Sequence, residues 1–189
     1  MKSWRDVPGW WEDEWLFRDI VEAAPDPAHF VEVGSWMGRS TCCMIGLIRK
    51  SGKRIRLDCI DTWKGSDYGS HPSKVAELEA EGKTLFGEFV RNIQACGGNA
   101  ICMPRICTSL RAAAIYADES LDCVFIDADH RDWAVEADCT MWWPNVVPGG
   151  MLCGHDWPAT DEAPQGVKRG VLAAGLEPEH KGMVWWLRK

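Results

Sequence analysis

The 189-residue sequence has no apolar segment near the roughly 20 residues needed to cross a bilayer. Its first residues also lack the apolar core of a secretory signal peptide, so we expect a cytoplasmic protein. The formal net charge is −7, and no run of basic residues occurs. Binding to nucleic acid or to anionic membranes is therefore not expected, because both attract clustered Lys and Arg side chains.

The nine cysteines include no Cys-x-x-Cys pair, so the spacing typical of zinc ribbons and redox motifs is absent. Cys59, Cys123 and Cys153 lie within apolar, strand-like runs, where a thiol behaves as a small hydrophobic side chain. An odd number of cysteines without an export signal also favours reduced thiols. We predict buried free cysteines and no disulfide framework.

A glycine turn between a strand and a helix is the most informative feature of the chain. Glu32 lies near the end of an apolar strand, Gly34 and Gly38 bracket the turn, and hydroxyl side chains begin the next helix. The free N–H groups of such a helix face the ligand crevice of an open α/β sheet. A dinucleotide fingerprint needs a second glycine two residues after the first. Trp36 stands there, which prevents close approach of a pyrophosphate.

Two further strands end in acidic side chains. Residues 54–61 form an apolar strand that closes on Asp61, where a carboxylate can accept both hydroxyls of a ribose. Asp58 lies in the same strand, but two more residues of the apolar run follow it, which favours Asp61. Residues 121–130 hold a strand and then Asp-Ala-Asp-His, and residues 148–156 read Pro-Gly-Gly-Met-Leu-Cys-Gly-His-Asp.

From about Gly9 to the C-terminus, these motifs resemble class I S-adenosylmethionine-dependent methyltransferases. The branch is that of small-molecule O-methyltransferases, with macrolide sugar O-methyltransferases and cephalosporin hydroxylase-like proteins. The resemblance implies transfer of a methyl group from S-adenosylmethionine to a hydroxyl of a small molecule. The cofactor-binding residues that it implies are Glu32, Gly34, Ser35, Gly38, Ser40, Thr41, Asp61, Thr62, Trp63, Thr108, Ser109 and Asp127. For Thr108 and Ser109, an N-cap role is an equal alternative.

Acidic and histidine side chains crowd the ends of two strands that we expect to be neighbours. Asp127, Asp129 and His130 follow one strand, and His155 and Asp156 follow the next. Parallel neighbours lie about 4.8 Å apart, so these side chains should converge. Clustered carboxylates repel one another unless a cation lies among them, and a divalent metal ion would supply that charge.

The resemblance implies metal ligands at Asp127, His155 and Asp156 and a general base at His130, with Asp127 also in the catalytic group. His155 stands where the metal-binding relatives carry Glu or Asp. A mixed nitrogen and oxygen set suits manganese, iron or zinc better than magnesium. A metal-free substrate pocket lined by His155 and Asp156 is the alternative.

Strands and helices alternate along the chain, which is typical of right-handed crossovers and a parallel sheet. We predict a single α/β domain over 1–189, with a doubly wound, mostly parallel seven-stranded sheet and an antiparallel C-terminal hairpin. The predicted elements are a helix over 10–24, a strand over 29–33, a helix over 39–50, a strand over 54–60, a strand near 100–103, a helix from about 109, a strand over 121–126, a helix over 131–142, a strand over 150–154, a helix over 164–174, and strands over 176–180 and 183–188.

Residues 62–84 are rich in glycine and polar side chains. They predict a loop and a short helix above the carboxyl edge of the sheet, where ligands bind. This segment is a candidate lid, with Trp63 and Tyr68 as covers for the adenine or the substrate. An ordinary surface loop is the alternative.

Trp185 and Trp186 are adjacent on a predicted strand and must point to opposite faces. The pair indicates either the subunit interface of a homo-oligomer or an aromatic wall of the substrate site. Two other functions stay open. An iron-dependent, cephalosporin hydroxylase-like oxygenase would consume oxygen, and a non-catalytic nucleotide-binding module would never turn over its bound cofactor.

Overall fold

The computed structural model describes residues 2–67, 69–158, 160 and 163–189. These residues form a seven-stranded sheet with helices on both faces. The strands are β1 Ala28–Val33, β2 Ile55–Asp61, β3 Cys102–Ile106, β4 Leu121–Ile126, β5 Val146–Gly154, β6 Glu179–Lys181 and β7 Val184–Arg188. The α-helices are α1 Glu14–Ala23, α2 Arg39–Ser51, α3 His71–Ala80, α4 Leu85–Ala95, α5 Ser109–Ala113, α6 Asp132–Trp142 and α7 Gly166–Ala173.

The strand order across the sheet is β3-β2-β1-β4-β5-β7-β6. Strands β1 to β5 run parallel, whereas β7 runs antiparallel to β5 and to β6. The order reverses between β1 and β4, so the connections that leave these two strands cross opposite faces and open a crevice at the carboxyl edge. The predicted doubly wound sheet with its antiparallel hairpin is confirmed.

An apolar layer covers each face of the sheet. On one face, α1, α2 and α4 pack through residues such as Phe17, Ile45 and Phe89. On the other face, α5, α6 and α7 pack through residues such as Val135 and Val171. The central strands β1 and β4 are buried almost throughout, which explains why their sequences are nearly unbroken apolar runs.

The first helix begins later than its apolar spacing predicts. Helix α1 starts at Glu14 and not at Trp10. Tertiary contacts hold the preceding residues out of the helix, because Trp11 is buried in the core and the Asp13 carboxylate pairs with His155. The predicted helix over 10–24 is therefore too long at its N-terminal end.

Helix α4 is absent from the predicted elements. The structure divides the region after β2 into a loop, the short helix α3 and then α4. Thr84 caps α4, since its hydroxyl oxygen accepts the N–H of Gly87 at 3.0 Å. Leu85, Phe89 and Ile93 are buried at intervals of one helical turn. That spacing after a threonine is the signal that identifies this helix.

Two edge strands differ from their predicted ranges. Strand β3 begins at Cys102 because the chain before it forms a turn, in which the Cys102 N–H donates to the carbonyl of Gly98. Strand β6 is only three residues long, since the Leu176 N–H bonds back to the Val171 carbonyl at the end of α7. Local turns override strand propensity at both places.

All nine cysteines are free thiols, and all except Cys107 are buried, as predicted. Across the parts of the chain that the structure describes, every helix is too short or too polar to span a membrane.

Candidate active site

The turn after β1 lies tightly against the end of β4. Gly34 has a φ of +91°, and a Cβ atom added there would lie 2.0 Å from the carbonyl oxygen of Asp127. The Gly34 N–H donates to the Ile60 carbonyl in β2 at 2.8 Å. A side chain at this position would push three strands apart, so only glycine fits. Gly38, with a φ of +87°, then precedes α2 as its N-cap.

Glu32 lies beneath this turn and not in the crevice. Its buried carboxylate accepts hydrogen bonds from the hydroxyls of Ser35 at 2.9 Å, Ser40 at 2.6 Å, and Thr41. Burial raises the pKa of Glu32, and the three hydroxyl donors offset that effect only in part. The Glu32 carboxylate and these three hydroxyls are all predicted cofactor-binding groups, but here they hydrogen-bond to one another. They hold the turn against the start of α2.

Asp61, at the end of β2, connects the loops on the two sides of the crevice. Its Oδ2 accepts the N–H of Trp36 at 2.9 Å, and its Oδ1 accepts the N–H of Trp63 at 2.7 Å. Burial raises the pKa of Asp61 despite these backbone donors. The N–H groups of Thr62 and Ser35 also act on this carboxylate, so backbone donors from the loops after β1 and β2 hold it at the crevice. Thr62 follows, and its hydroxyl oxygen accepts the N–H of Lys64 at 3.3 Å.

Asp58 is fully buried in the same strand and belongs to a separate ion-pair network. Arg56 donates to its two carboxylate oxygens at 2.8 and 3.0 Å, Arg105 donates at 3.0 Å, and the Tyr116 hydroxyl donates at 2.6 Å. Burial alone would raise the pKa of Asp58, but hydrogen bonds from these groups and His29 hold it well below its usual range. Asp58 therefore faces protein partners, and the acid at the strand end faces the crevice.

Trp63 is a core residue and does not cover the crevice. Its ring packs against Phe86 and Phe89, with ring centroids 4.9 and 4.8 Å away. Its indole Nε1 donates to the carbonyl of Trp36 at 2.9 Å, which ties the loop after β2 to the turn after β1. Tyr68, the other predicted cover, lies outside the described residues.

Ser109 and Thr108 have different surroundings after β3. The Ser109 hydroxyl oxygen accepts the indole N–H of Trp142 at 2.9 Å and is also hydrogen-bonded to the buried Asp138. Ser109 thus helps α5 to pack on α6. Thr108 is exposed at the N-cap position of α5, but its hydroxyl makes no capping hydrogen bond.

Beyond β4 and β5, one histidine and two carboxylates converge. The Nε2 atom of His130 lies 3.5 Å from Asp127 Oδ1 and 3.3 Å from Asp156 Oδ2. One ligand atom from each of the three residues lies within 4.8 Å of the other two. No other group of three or more His, Cys, Asp or Glu within the described residues offers this arrangement. We call these three residues the His130 trio.

The structure groups Asp127 and Asp156 with His130 and not with the predicted ligand His155. His155 is buried, its Nδ1 lies 3.1 Å from Asp156 Oδ2, and its Nε2 lies 3.5 Å from Asp13 Oδ2. Each ring nitrogen of His155 therefore pairs with a carboxylate other than Asp127: Nδ1 with Asp156 and Nε2 with Asp13.

His155 also changes the electrostatics that the sequence predicts. Burial alone would lower the pKa of His155, but the hydrogen bond with Asp156 and the charges of Asp127, Asp156 and Asp13 raise it to about 9. The imidazolium thus supplies part of the positive charge that the clustered acids require. Burial also opposes protonation of His130, yet Asp127 and Asp156 raise its pKa as well.

Asp129, the remaining acid of the predicted cluster, does not join it. Its two oxygens bind the guanidinium of Arg131, with the Arg131 Nε atom 2.9 Å from each. The hydrogen bonds and charge of Arg131 lower the pKa of Asp129. Asp129 is therefore part of a surface ion pair.

Asp13 and His71 are site residues that the sequence does not reveal. The pairing of Asp13 with His155 depends on how the N-terminal segment folds over the sheet, and no local pattern encodes it. The His71 ring stacks on Trp36, with ring centroids 4.2 Å apart, and its Nδ1 lies 2.7 Å from the Ser66 hydroxyl oxygen. A histidine at the start of the short helix in the candidate lid segment is the one available signal for it.

The fold and the site define an open α/β protein with a crevice at the carboxyl edge of its sheet, where ligands bind in such folds, and with a histidine between two carboxylates beside it. Residues 31–157 match a family model described as a methyltransferase domain. The chain belongs to this family, and its class is that of the class I S-adenosylmethionine-dependent methyltransferases.

Several solved structures share the fold. The O-methyltransferase NovP aligns with a TM-score of 0.68 and 16% identity over 93% of this chain and 78% of that one. A protein of Corynebacterium glutamicum aligns with a TM-score of 0.61 and 14% identity over 97% and 83%. The precorrin 8W decarboxylase of Methanobacterium thermoautotrophicum aligns with a TM-score of 0.59 and 15% identity over 93% and 78%. Such low identities show the fold alone. No protein of curated function matches the sequence.

Proposed function

We propose that this protein transfers a methyl group from S-adenosylmethionine to a hydroxyl group of a small molecule. The observation that carries the proposal is the position of His130, which lies between Asp127 and Asp156 at the same sheet edge as Asp61. A carboxylate suited to a ribose and an acid–base group thus border one crevice. The fold shared with the O-methyltransferase NovP supports a hydroxyl acceptor.

The residues at this edge fit the cofactor. Gly34 keeps the turn free of a side chain where α2 begins, and the first N–H groups of a helix are free to bind a ligand. Asp61 would accept the ribose hydroxyls, with Thr62 and Thr108 at its sides. Glu32 would hold the turn in place through its hydroxyl partners. S-adenosylmethionine supplies a methyl group on a sulfonium, which is already a good leaving group.

Methyl transfer is an in-line displacement, so the protein's tasks are to align the two reactants and to accept the proton of the acceptor hydroxyl. His130 would accept this proton at a ring nitrogen. Asp127 and Asp156 would stabilise the imidazolium that results, and their charges already raise the pKa of His130 against the effect of burial.

The His130 trio also fits a divalent cation, which would lower the pKa of an acceptor hydroxyl. One nitrogen and two carboxylates favour manganese, iron or zinc over magnesium. His130 would then be a ligand and not the base. Loss of methyl transfer in a chelator, with S-adenosylmethionine binding retained, would identify the ligand role, and full activity in the chelator would identify the base.

The trio argues against an oxygenase. Non-haem iron oxygenases commonly bind iron through two histidines and one carboxylate. Here one histidine accompanies two carboxylates, and His155 is engaged by Asp13 and Asp156. A non-catalytic binding module is distinguished by turnover, since it would bind S-adenosylmethionine without ever releasing S-adenosylhomocysteine.

Thermal unfolding tests the cofactor. S-adenosylhomocysteine at about 100 times its Kd should stabilise the native state by about 2.7 kcal/mol and raise the Tm by about 5–10 °C. NAD at the same concentration should leave the Tm unchanged. Stabilisation by NAD and not by S-adenosylhomocysteine would refute the proposal. With an acceptor in hand, His130→Ala should lower turnover roughly 10²–10⁴-fold while cofactor binding persists.

A further inference from the structure

A cavity of about 250 Å³ lies beside the crevice, between the N-terminal segment, the turn after β1 and α3. Trp10, Trp36 and Met37 form its apolar wall, and Ser70 and Ser73 lie on the polar side. From this cavity we infer that the acceptor is a planar, hydroxylated aromatic compound that binds against the two indole rings. The inference rests on the proposed methyl transfer and adds the class of its acceptor.

The aromatic wall is preformed. Trp36 is stacked on His71 at an interplanar angle of 23°, and the rings of Trp10 and His71 lie 5.1 Å apart. The ring centroids of Trp10 and Trp36 are 6.3 Å apart. Rings that are held by neighbours lose little freedom when a ligand binds. A planar ring placed against them gains both apolar burial and aromatic stacking.

The Trp10 side chain is much more exposed than a large aromatic side chain usually is. Its relative exposure is 59%, although it contacts two other aromatic rings and lines the cavity. A large exposed aromatic surface in a concave site marks a place where a ligand or partner binds. The cavity volume limits that ligand to a small molecule with one or two rings.

The cavity adjoins the reacting groups. The Trp36 N–H donates directly to Asp61 Oδ2, so one wall of the cavity is joined to the ribose-binding acid. His71, behind the same ring, has its pKa lowered by burial and by the charge of His130, with Asp127 opposing the shift. The aromatic wall therefore borders the crevice on the side of Asp61.

The polar side of the cavity favours a neutral acceptor. Lys74 and Glu77 both line it, and they form a mutual salt bridge of 2.7 Å. Their charges are therefore paired with each other. The Ser73 hydroxyl donates to the Ser70 carbonyl at 3.3 Å, and its oxygen keeps acceptor capacity for a ligand hydroxyl. A sugar would bring many hydroxyls against Trp10, Trp36 and Met37, which offer few polar partners, and buried polar groups require partners.

The test compares two neutral vicinal diols that differ in planarity. Binding of catechol and of cis-1,2-cyclohexanediol is measured by calorimetry, with and without saturating S-adenosylhomocysteine. The variants are Trp10→Leu, the conservative Trp10→Phe, and Trp133→Leu. Trp133 is a matched control, because it is equally exposed, at 60%, and lies outside the cavity lining.

We expect catechol to bind at least tenfold more tightly than the cyclohexanediol. Trp10→Leu should weaken catechol binding roughly tenfold, whereas Trp10→Phe should stay within about threefold because it keeps an aromatic face. Trp133→Leu should leave binding unchanged. Retained S-adenosylhomocysteine binding in each variant confirms that it is folded.

Three results would overturn the inference: no catechol binding, equal affinity for the two diols, or insensitivity to Trp10→Leu. Displacement of catechol by S-adenosylhomocysteine would also overturn it, because the cavity would then belong to the cofactor site. Failure of S-adenosylhomocysteine itself to bind would instead refute the proposed methyl transfer.

Discussion

A buried acid on α6 should cost the protein stability at neutral pH, and replacing it should reveal that cost. Asp138 is 5% exposed and faces Ser109 between α5 and α6. Burial raises the pKa of Asp138 to about 6, and the hydrogen bond with Ser109 offsets only part of this effect. The unfolded chain ionises Asp138 near pH 3.9, so ionisation is easier there than in the native state.

The direction of this pH dependence follows from the number of protons that the native and unfolded states hold. Between about pH 4 and pH 6 the native state holds more protons at Asp138 than the unfolded state, so this residue lowers the free energy of unfolding as the pH rises. A difference of about two pKa units corresponds to about 2–3 kcal/mol, which is fully expressed above pH 6. Asp138→Asn keeps the shape and an acceptor oxygen but removes the charge.

Urea unfolding of the wild type and Asp138→Asn at pH 4 and pH 8 measures this cost. The difference in unfolding free energy between variant and wild type should increase by about 2 kcal/mol from pH 4 to pH 8, in favour of the variant. Any change in packing that the Asn amide causes is the same at both pH values, so it cancels in this comparison. Glu136→Gln, on the exposed side of the same helix, should show less than about 0.5 kcal/mol of such change. An increase below that limit for Asp138→Asn would refute the reasoning.

Three further outcomes follow from the site. Asp61→Ala should weaken S-adenosylhomocysteine binding by about 1.5–3 kcal/mol, measured by calorimetry, because charged hydrogen bonds to the ribose are lost; an unchanged Kd would contradict that role. Residues 62–67 and 69–84 should exchange amide hydrogens faster than the sheet and slow down with cofactor and acceptor bound, since Leu78 is the one fully buried residue of α3; equal exchange in both states would exclude a lid. Mn²⁺ binding should weaken at least tenfold in Asp156→Asn and stay within twofold in Asp129→Asn, whose parent side chain is paired with Arg131; equal effects would exclude the His130 trio as the ligands.

The sequence was sufficient for the sheet because the signals there are local. The apolar runs of β1 and β4 and the positive φ that Gly34 requires depend on neighbouring residues only. The end of β2 was likewise enough to distinguish Asp61 from Asp58 by position. The order of the strands and the glycine turn after β1 could therefore be predicted without knowledge of the packing.

Side-chain direction at the site depended on distant residues. Nothing near His155 in sequence indicates that Asp13 would pair with its ring, so the sequence alone did not show that His130, and not His155, lies in one group with Asp127 and Asp156. The hydroxyls of Ser40 and Thr41 could have faced a ligand, but the buried Glu32 carboxylate needed donors and bound them. A buried carboxylate takes up nearby hydroxyl donors, so it determines which of them remain free for a ligand. The sequence does not show how deeply such a side chain is buried.

The contact between Gly34 and the Asp127 carbonyl has a mechanical consequence. Not even a methyl group fits between them, and the Asp127 N–H donates to the Val33 carbonyl at 2.8 Å, so we expect the cofactor turn and the loop that carries Asp127 to move together. Helix α3 and the exposed Trp10 side chain lie above this floor, and Leu78 is the one buried residue of α3. Changes in that upper layer can alter which acceptors are admitted while the alignment of the methyl donor stays fixed. Re-engineering of acceptor choice should therefore begin there.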